Sequence, residues 1–139
     1  MDLRSEPFSL VLSGGGALGI AHLGVLHDME QLNLVPCEIV GTSMGGIIGA
    51  SMAIGMKERQ IFERLQNLAG ISNWISFSWA GNAVIDDKKI GAIFDDIFAD
   101  RLMSDTTIPL KLIATNLLSG DKMVFDATSD ILIKDAVLA

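Results

Sequence analysis

Short apolar runs alternate with helical stripes along this chain. Phe8-Ser9-Leu10-Val11-Leu12 is a compact apolar run ended by three glycines, which predicts a short buried strand. From Ala17 the period lengthens. Leu18, His22, Val25 and Met29 recur on one helical face with Leu26 beside them, and Asn33 and Pro36 close the element. Ile39-Val40 predicts a second brief strand running into Gly41, and Met44 to Ile54 a helix of small residues with Gly55 as its C-cap. Lys57 to Leu68 is amphipathic, with Ile61, Phe62, Leu65 and Leu68 facing inward.

Residues 71–87 have no clean period and hold both tryptophans. A further helix is expected from Lys88 to about Leu102, its buried stripe made of Ile90, Ile93, Phe94, Ile97 and Phe98. Leu110 to Thr115 predicts a strand after Pro109, Asn116 to Asp121 a turn, and Met123-Val124-Phe125 a shorter strand. Asp130 to Ala139 begins one more helical pattern and stops without cap or polar tail, so a C-terminally incomplete domain is expected. Strands alternating with helices predict an α/β domain with a mostly parallel sheet. No repeat or linker divides residues 1–139, which are expected to form a single domain.

Composition narrows the chemistry. The 139 residues carry a formal charge of −7, which argues against nucleic acid as a partner, because phosphate binding needs clustered Lys and Arg. No polybasic patch for anionic lipid is present either. Cys37 is the single cysteine, which fits a reducing compartment, and the first residues are unlike a secretory signal, so a cytoplasmic location is expected. Ile39 to Met56 is free of charge and has nearly the length of a membrane span. Its five glycines together with Thr42, Ser43 and Ser51 fit a buried strand, turn and helix better.

Two glycine-rich turns carry the candidate chemistry. Gly41-Thr42-Ser43-Met44-Gly45 spells G-x-S-x-G between a strand and a helix, the setting of a nucleophile elbow. Gly14-Gly15-Gly16-Ala17-Leu18-Gly19 lies in the same kind of setting and can present several backbone N–H groups to one point. A helix beginning near Ala17 would add the positive end of its dipole, and the Met44 N–H a further donor. Ser43 also reads as an ordinary helix N-cap. The first turn satisfies G-x-G-x-x-G, but the acidic residue a dinucleotide site needs at the end of the second strand is replaced by Gly41-Thr42-Ser43. A Walker loop is excluded by the lack of Gly-Lys-Ser or Gly-Lys-Thr.

A serine needs a base, and no histidine follows Ser43. His22 and His27 precede it. His22 reads as a hydrogen-bonded structural residue, and His27 as solvated. Asp86-Asp87 and Asp95-Asp96 read as a helix start and an outer face, and Cys37 has no basic neighbour to activate it. Trp74, Phe77 and Trp79 read as core packing or, alternatively, as a lid touching a lipid interface.

The run Leu10-Val11-Leu12-Ser13-Gly14-Gly15-Gly16-Ala17, continuing through Gly19-Ile20-Ala21-His22-Leu23-Gly24-Val25-Leu26, resembles the opening of patatin-like phospholipases. So do Gly41-Thr42-Ser43-Met44-Gly45-Gly46 and Ala114-Thr115-Asn116-Leu117-Leu118-Ser119-Gly120. The resemblance implies a patatin-like three-layer α/β/α fold and a Ser–Asp dyad, with Ser43 attacking a fatty-acyl ester of a phospholipid or lysophospholipid. Gly14, Gly15, Gly16 and Met44 would form the oxyanion hole, and Gly19, Gly41 and Gly45 would be motif glycines. No metal or organic cofactor is implied, and peripheral membrane contact is expected.

Leu18 stands where the family often has Arg or Lys. The family's Asp-Gly-Gly or Asp-Gly-Ala motif is missing, since no aspartate here precedes glycine. Asp126, Asp130 and Asp135 are the nearest candidates by position, and the catalytic aspartate is expected beyond residue 139. The 139 residues alone should then turn over little substrate. A catalytically silent interaction or regulatory module on the same fold is the alternative.

Overall fold

The computed structural model describes residues 5–68 and 87–139, with backbone alone for 67, 68 and 87–90. Four strands form one sheet in the order β1 (Ser9–Leu12), β2 (Glu38–Gly41), β3 (Leu110–Thr115), β4 (Lys122–Phe125). The first two pairings are parallel, bringing Leu12 level with Gly41 and Gly41 level with Leu112. β4 returns antiparallel from the β3 hairpin, with Thr115 opposite Lys122. The sheet is thus mixed and mostly parallel.

Between the strands lie a 3₁₀ segment (Gly16–Ala21), α1 (His22–Gln31), α2 (Met44–Ala53), α3 (Glu58–Leu68) and α4 (Asp87–Phe98), with α5 (Ile133–Leu138) after β4. The parallel strands are added in one direction, so right-handed crossovers place α1 and α2 on the same side of the sheet. The face turned to them carries Leu10, Leu12, Ile39, Leu110, Leu112 and Phe125, which join one hydrophobic core. α2 lies across β1, β2 and β3 and is buried on nearly every side, as a helix apolar all round must be. That burial accounts for the uncharged run from Ile39 to Met56. Gly55 (φ 92) ends α2 in a Schellman arrangement: its N–H donates to Met52 O (2.9 Å) and that of Met56 to Ser51 O (3.1 Å).

The outer helices are tied to one another. Lys134 of α5 reaches Asp95 of α4 (2.8 Å) and Asp100 beyond its end (2.9 Å), and Arg64 of α3 pairs with Asp96. Phe94 and Phe98 meet at a tilt of 40° with 5.9 Å between ring centroids. Asp95 and Asp96 therefore sit on an exposed outer face.

Several expectations need correction. Helical structure starts at Gly16, next to the expected Ala17, but not as α-helix. The glycine turn continues as a 3₁₀ segment whose tighter period breaks the stripe read across it, and the α-helix begins at His22. Its buried face is Leu23, Leu26 and Met29, while Leu18 and Val25 are exposed. Among the described residues β1 is an edge strand with only Leu12 fully buried, and Val11 is 70% exposed on the face away from the helices. Phe62 sits at the rim of its stripe rather than inside it.

The fourth helix stops at Phe98, well before Leu102. Ala99 adopts φ 50, a left-handed cap with no glycine or asparagine to announce it, and Arg101 N–H closes on Phe98 O. The last helix starts at Ile133, because Leu132 first pairs with Leu102 in an isolated antiparallel bridge. Leu68 and Ile90 fall outside the described side chains, and Trp74, Phe77 and Trp79 outside the described residues.

On the sheet face away from the helices, Glu38 accepts a hydrogen bond from Lys111 Nζ (2.5 Å) and another from Ser9 Oγ (3.4 Å). The lysine bond, with the lysine charge behind it, holds the Glu38 carboxyl below its ordinary value despite partial desolvation. The folded state therefore binds fewer protons here than the unfolded chain. The stabilisation is present above the unfolded carboxylate value and fades as pH falls through the folded one. Glu38→Gln should lower the urea midpoint at neutral pH, and the gap to the parent should close below about pH 4. A gap that stayed constant or widened in acid would contradict this assignment.

Candidate active site

The carboxyl ends of β1, β2 and β3 lie along one edge of the sheet, and three connections leave it there. The middle one is Gly41-Thr42-Ser43-Met44-Gly45. Thr42 is held from both sides: its N–H donates to Leu12 O (3.2 Å) and its Oγ1 to Ile113 O (3.0 Å). Its own carbonyl accepts the Gly46 N–H (3.2 Å), and the Ser43 carbonyl accepts that of Ile47 (3.1 Å), which starts α2. Ser43 is pinned between the strand and this helix at φ 52, ψ −129. A residue with a Cβ is strained there, by about 1–3 kcal/mol.

The strain has a local cause. α2 begins almost in contact with the strands, so the chain must reverse within two residues. A Cβ on Gly45 would overlap the carbonyl oxygens of Leu12 and Ser13, and one on Gly41 would come within 2.7 Å of Gly45 O and Gly46 Cα. Both motif glycines are required by close backbone approach. Ser43 occupies the N-cap position, yet its side chain makes no capping hydrogen bond and the residue is exposed. The ordinary capping role is thereby removed. The N–H groups of Met44 and Gly45 open the helix, where no intrahelical acceptor exists for them.

The first glycine turn meets this elbow. A Cβ built on Gly14 would stand 3.2 Å from Ser43 Cβ and 3.8 Å from its Oγ. Gly19 lies against Met44, where a Cβ would reach 2.5 Å from Met44 Cγ. His22 Nε2 lies 2.9 Å from Ser13 O, so its N–H fastens α1 to the turn. This is the hydrogen-bonded structural role expected of it. His27 is largely solvated and 3.6 Å from Glu58. The residues that lead from this turn into α1 are 3₁₀ rather than α-helical. The helix terminus adjoining Ser43 is that of α2.

A cleft of about 330 Å3 opens beside Ser43. Its floor and walls include Gly41, Thr42, Leu112, Thr115 and, from α5, Ala136 and Val137. No side-chain carboxylate or imidazole lines it among the described residues. Asp126 follows Phe125, the residue of β4 level with Leu112, is hydrogen-bonded to Thr128, and does not line the cleft. Asp130 and Asp135 are exposed and do not line the cleft.

A sequence model described as patatin-like phospholipase matches residues 10–139. The chain is 44% identical over 108 residues to triacylglycerol lipase ptl3 of Schizosaccharomyces pombe, covering 74% of this chain and 22% of that protein. It is 38% identical over 120 residues to lysophospholipase NTE1 of Candida glabrata, covering 83% of this chain and 7% of that protein. Among solved structures it is similar to the type III effector protein ExoU, with a TM-score of 0.59 and 19% identity, over 95% of this chain and 38% of that one. That likeness places the fold in the three-layer α/β/α class. The chain spans about a fifth or less of the length of these two curated relatives.

Two stability measurements test the elbow. Ser43→Gly should be more stable than Ser43→Ala by roughly 1 kcal/mol, since only glycine relaxes at this φ. Equal stabilities would mean the turn is unstrained. Gly45→Ala should lose about 1–3 kcal/mol by forcing α2 off the strands, read as a lower urea midpoint.

Proposed function

The chain belongs to the patatin-like phospholipase family, and on that premise we propose that Ser43 is the nucleophile of a lipid acyl hydrolase. The observation that carries the reading is Ser43 itself, a strained, exposed, non-capping serine abutting a turn of three glycines. Its Oγ attacks the carbonyl carbon of a fatty-acyl ester and gives its proton to a carboxylate. The carbonyl oxygen becomes an oxyanion facing the N–H groups of Gly14, Gly15, Gly16 and Met44. Losing one such donor typically raises the barrier by about 2.7–4 kcal/mol. The C–O bond then breaks, the alcohol leaves with the proton, and water releases the fatty acid from the acyl-serine.

Phospholipid or lysophospholipid esters are the proposed substrates. The relatives named triacylglycerol lipase and lysophospholipase support an acyl ester as the reacting group. The lack of any acid beside the cleft among the described residues supports a base supplied from beyond residue 139, as the partner of Ser43 in a Ser–Asp dyad. Residues 1–139 would then be the nucleophile-bearing part of a longer domain. No helix among the described residues is long and apolar enough to cross a membrane, and access to lipid by peripheral contact is part of the proposal.

In the full-length protein a fluorophosphonate probe should label Ser43, and Ser43→Ala should abolish labelling and lower kcat by at least about 10⁴-fold. Undiminished labelling in that variant would move the nucleophile elsewhere. Residues 1–139 alone should hydrolyse a soluble ester far more slowly than the full-length protein. Equal rates would place the base inside this chain.

A further inference from the structure

The hairpin between β3 and β4 ends in Asn116-Leu117-Leu118-Ser119-Gly120-Asp121, and its two leucines are 95% and 100% exposed. Adjacent, fully solvated leucines at one tip form an apolar patch of the kind that marks an interaction site. The tip is not loose. Asn116 Oδ1 accepts the N–H groups of Leu118 (2.9 Å) and Ser119 (3.3 Å), and Asn116 O accepts that of Gly120 (2.7 Å). Ser119 Oγ accepts the Asp121 N–H (3.2 Å), and Asn116 N–H donates to Asp121 O (2.9 Å). The N–H groups of Leu118, Ser119, Gly120 and Asp121 are thus satisfied within the turn. That lowers the penalty for carrying irregular backbone toward an apolar phase.

The position of the tip gives it a direction. Leu112 is level with Gly41, and β3 continues for three residues past it, so the hairpin stands roughly 10 Å beyond the edge from which Ser43 rises. On the other side of Ser43 the first glycine turn exposes Leu18 (83%) and Ile20. Ser13 to Ala21, Ile39 to Met56 and Leu112 to Gly120 contain no Asp, Glu, Lys or Arg. The runs nearest Ser43 are therefore uncharged in a chain of net charge −7, the charges next to them at the hairpin are one acid and one base, Asp121 and Lys122, and each outer run bears exposed aliphatic side chains. Such a rim carries no net charge to draw an anionic headgroup. It suits an electrically neutral interface that can take up leucine side chains.

We infer that Leu117 and Leu118, with Leu18 opposite, form a wedge that seats the Ser43 edge on an uncharged or zwitterionic lipid surface. This rests on the acyl-ester reading of Ser43 and adds to it where, and to which kind of surface, the protein docks. The bonded turn holds the leucines out before contact, so little ordering is needed on binding.

The test uses the full-length protein carrying Ser43→Ala, so that no lipid is consumed, with phosphatidylcholine vesicles in a flotation assay. Leu117→Ser with Leu118→Ser should weaken vesicle binding by at least tenfold, and Leu18→Ser should weaken it further. Added salt should leave the parent's binding little changed, because no ion pairs form. With Ser43 intact, the ratio of turnover on vesicle-borne ester to turnover on a soluble short-chain ester should fall by a similar factor.

Equal vesicle binding by the parent and the double variant would overturn the wedge. So would binding that needs phosphatidylserine and vanishes in salt. A parent that stays off vesicles but dimerises through these leucines would assign the tip to a second copy and overturn it too. Failure of the Ser43 reading shows separately, as a missing fluorophosphonate adduct, whereas flotation is measured without any chemistry.

Discussion

A backbone contact sets the rest of this structure: Gly45, in the first turn of α2, lies directly on the carbonyl oxygens of Leu12 and Ser13 at the end of β1. No residue with a side chain fits there. The contact draws the helix start down between two parallel strands, so the chain leaving β2 must reverse almost at once. Thr42 becomes the pivot, bonded to Leu12 on one side and Ile113 on the other. Ser43 takes the remaining backbone turn in a conformation that a side chain resists. The same contact brings Ser13-Gly14 against the elbow, because the residues that Gly45 touches lead straight into Gly14. Serine and glycine turn are neighbours for one steric reason.

Burial pays for this strain. α2 is enclosed by the sheet below and by α1, α3 and α5 around it, with Ile48, Ala50 and Ala53 completely buried. Its small residues let it approach the strands, and its lack of charge lets the outer helices close over it. The outer helices carry the polar work: Lys134 to Asp95 and Asp100, and Arg64 to Asp96, all at least partly solvated. Pairs of this kind contribute little each to stability. They fix how α3, α4 and α5 sit on one another, and α5 supplies Ala136 and Val137 to the wall of the cleft.

The elements built on strong local signals were legible from the residues: the strand Leu110–Thr115, the glycine-capped small-residue helix, and the amphipathic stripe of Ile61 and Leu65. The elbow was legible because its glycines carry a steric demand that spacing alone reveals. Elements whose outcome depends on tertiary contact were less so. The 3₁₀ segment after Gly15 packs Gly19 on Met44, a contact distant in sequence, and its tighter period rotates the face read through Leu18 and Val25. Ala99 ends α4 because Arg101 and Leu102 are drawn toward Leu132 and Ile133, which no nearby residue announces. The exposure of Val11 depends on which sheet face the crossovers cover, a property of topology rather than of local pattern.

The distribution of charge ties site to surroundings. A net charge of −7 could weaken any encounter with anionic material, yet none of that charge lies on the runs Ser13 to Ala21, Ile39 to Met56 and Leu112 to Gly120 around Ser43. The two needs have a common origin. Residues packed as tightly as Gly41, Gly45 and Gly46 leave no room for charged side chains, and the neighbouring connections bear glycine, alanine and leucine. An uncharged edge is thus partly a by-product of the geometry that strains Ser43. Exposed leucines at its two margins are not, because Leu18 and Leu118 touch no core that would require them. Packing explains the centre of this edge, and its margins call for an explanation outside the fold.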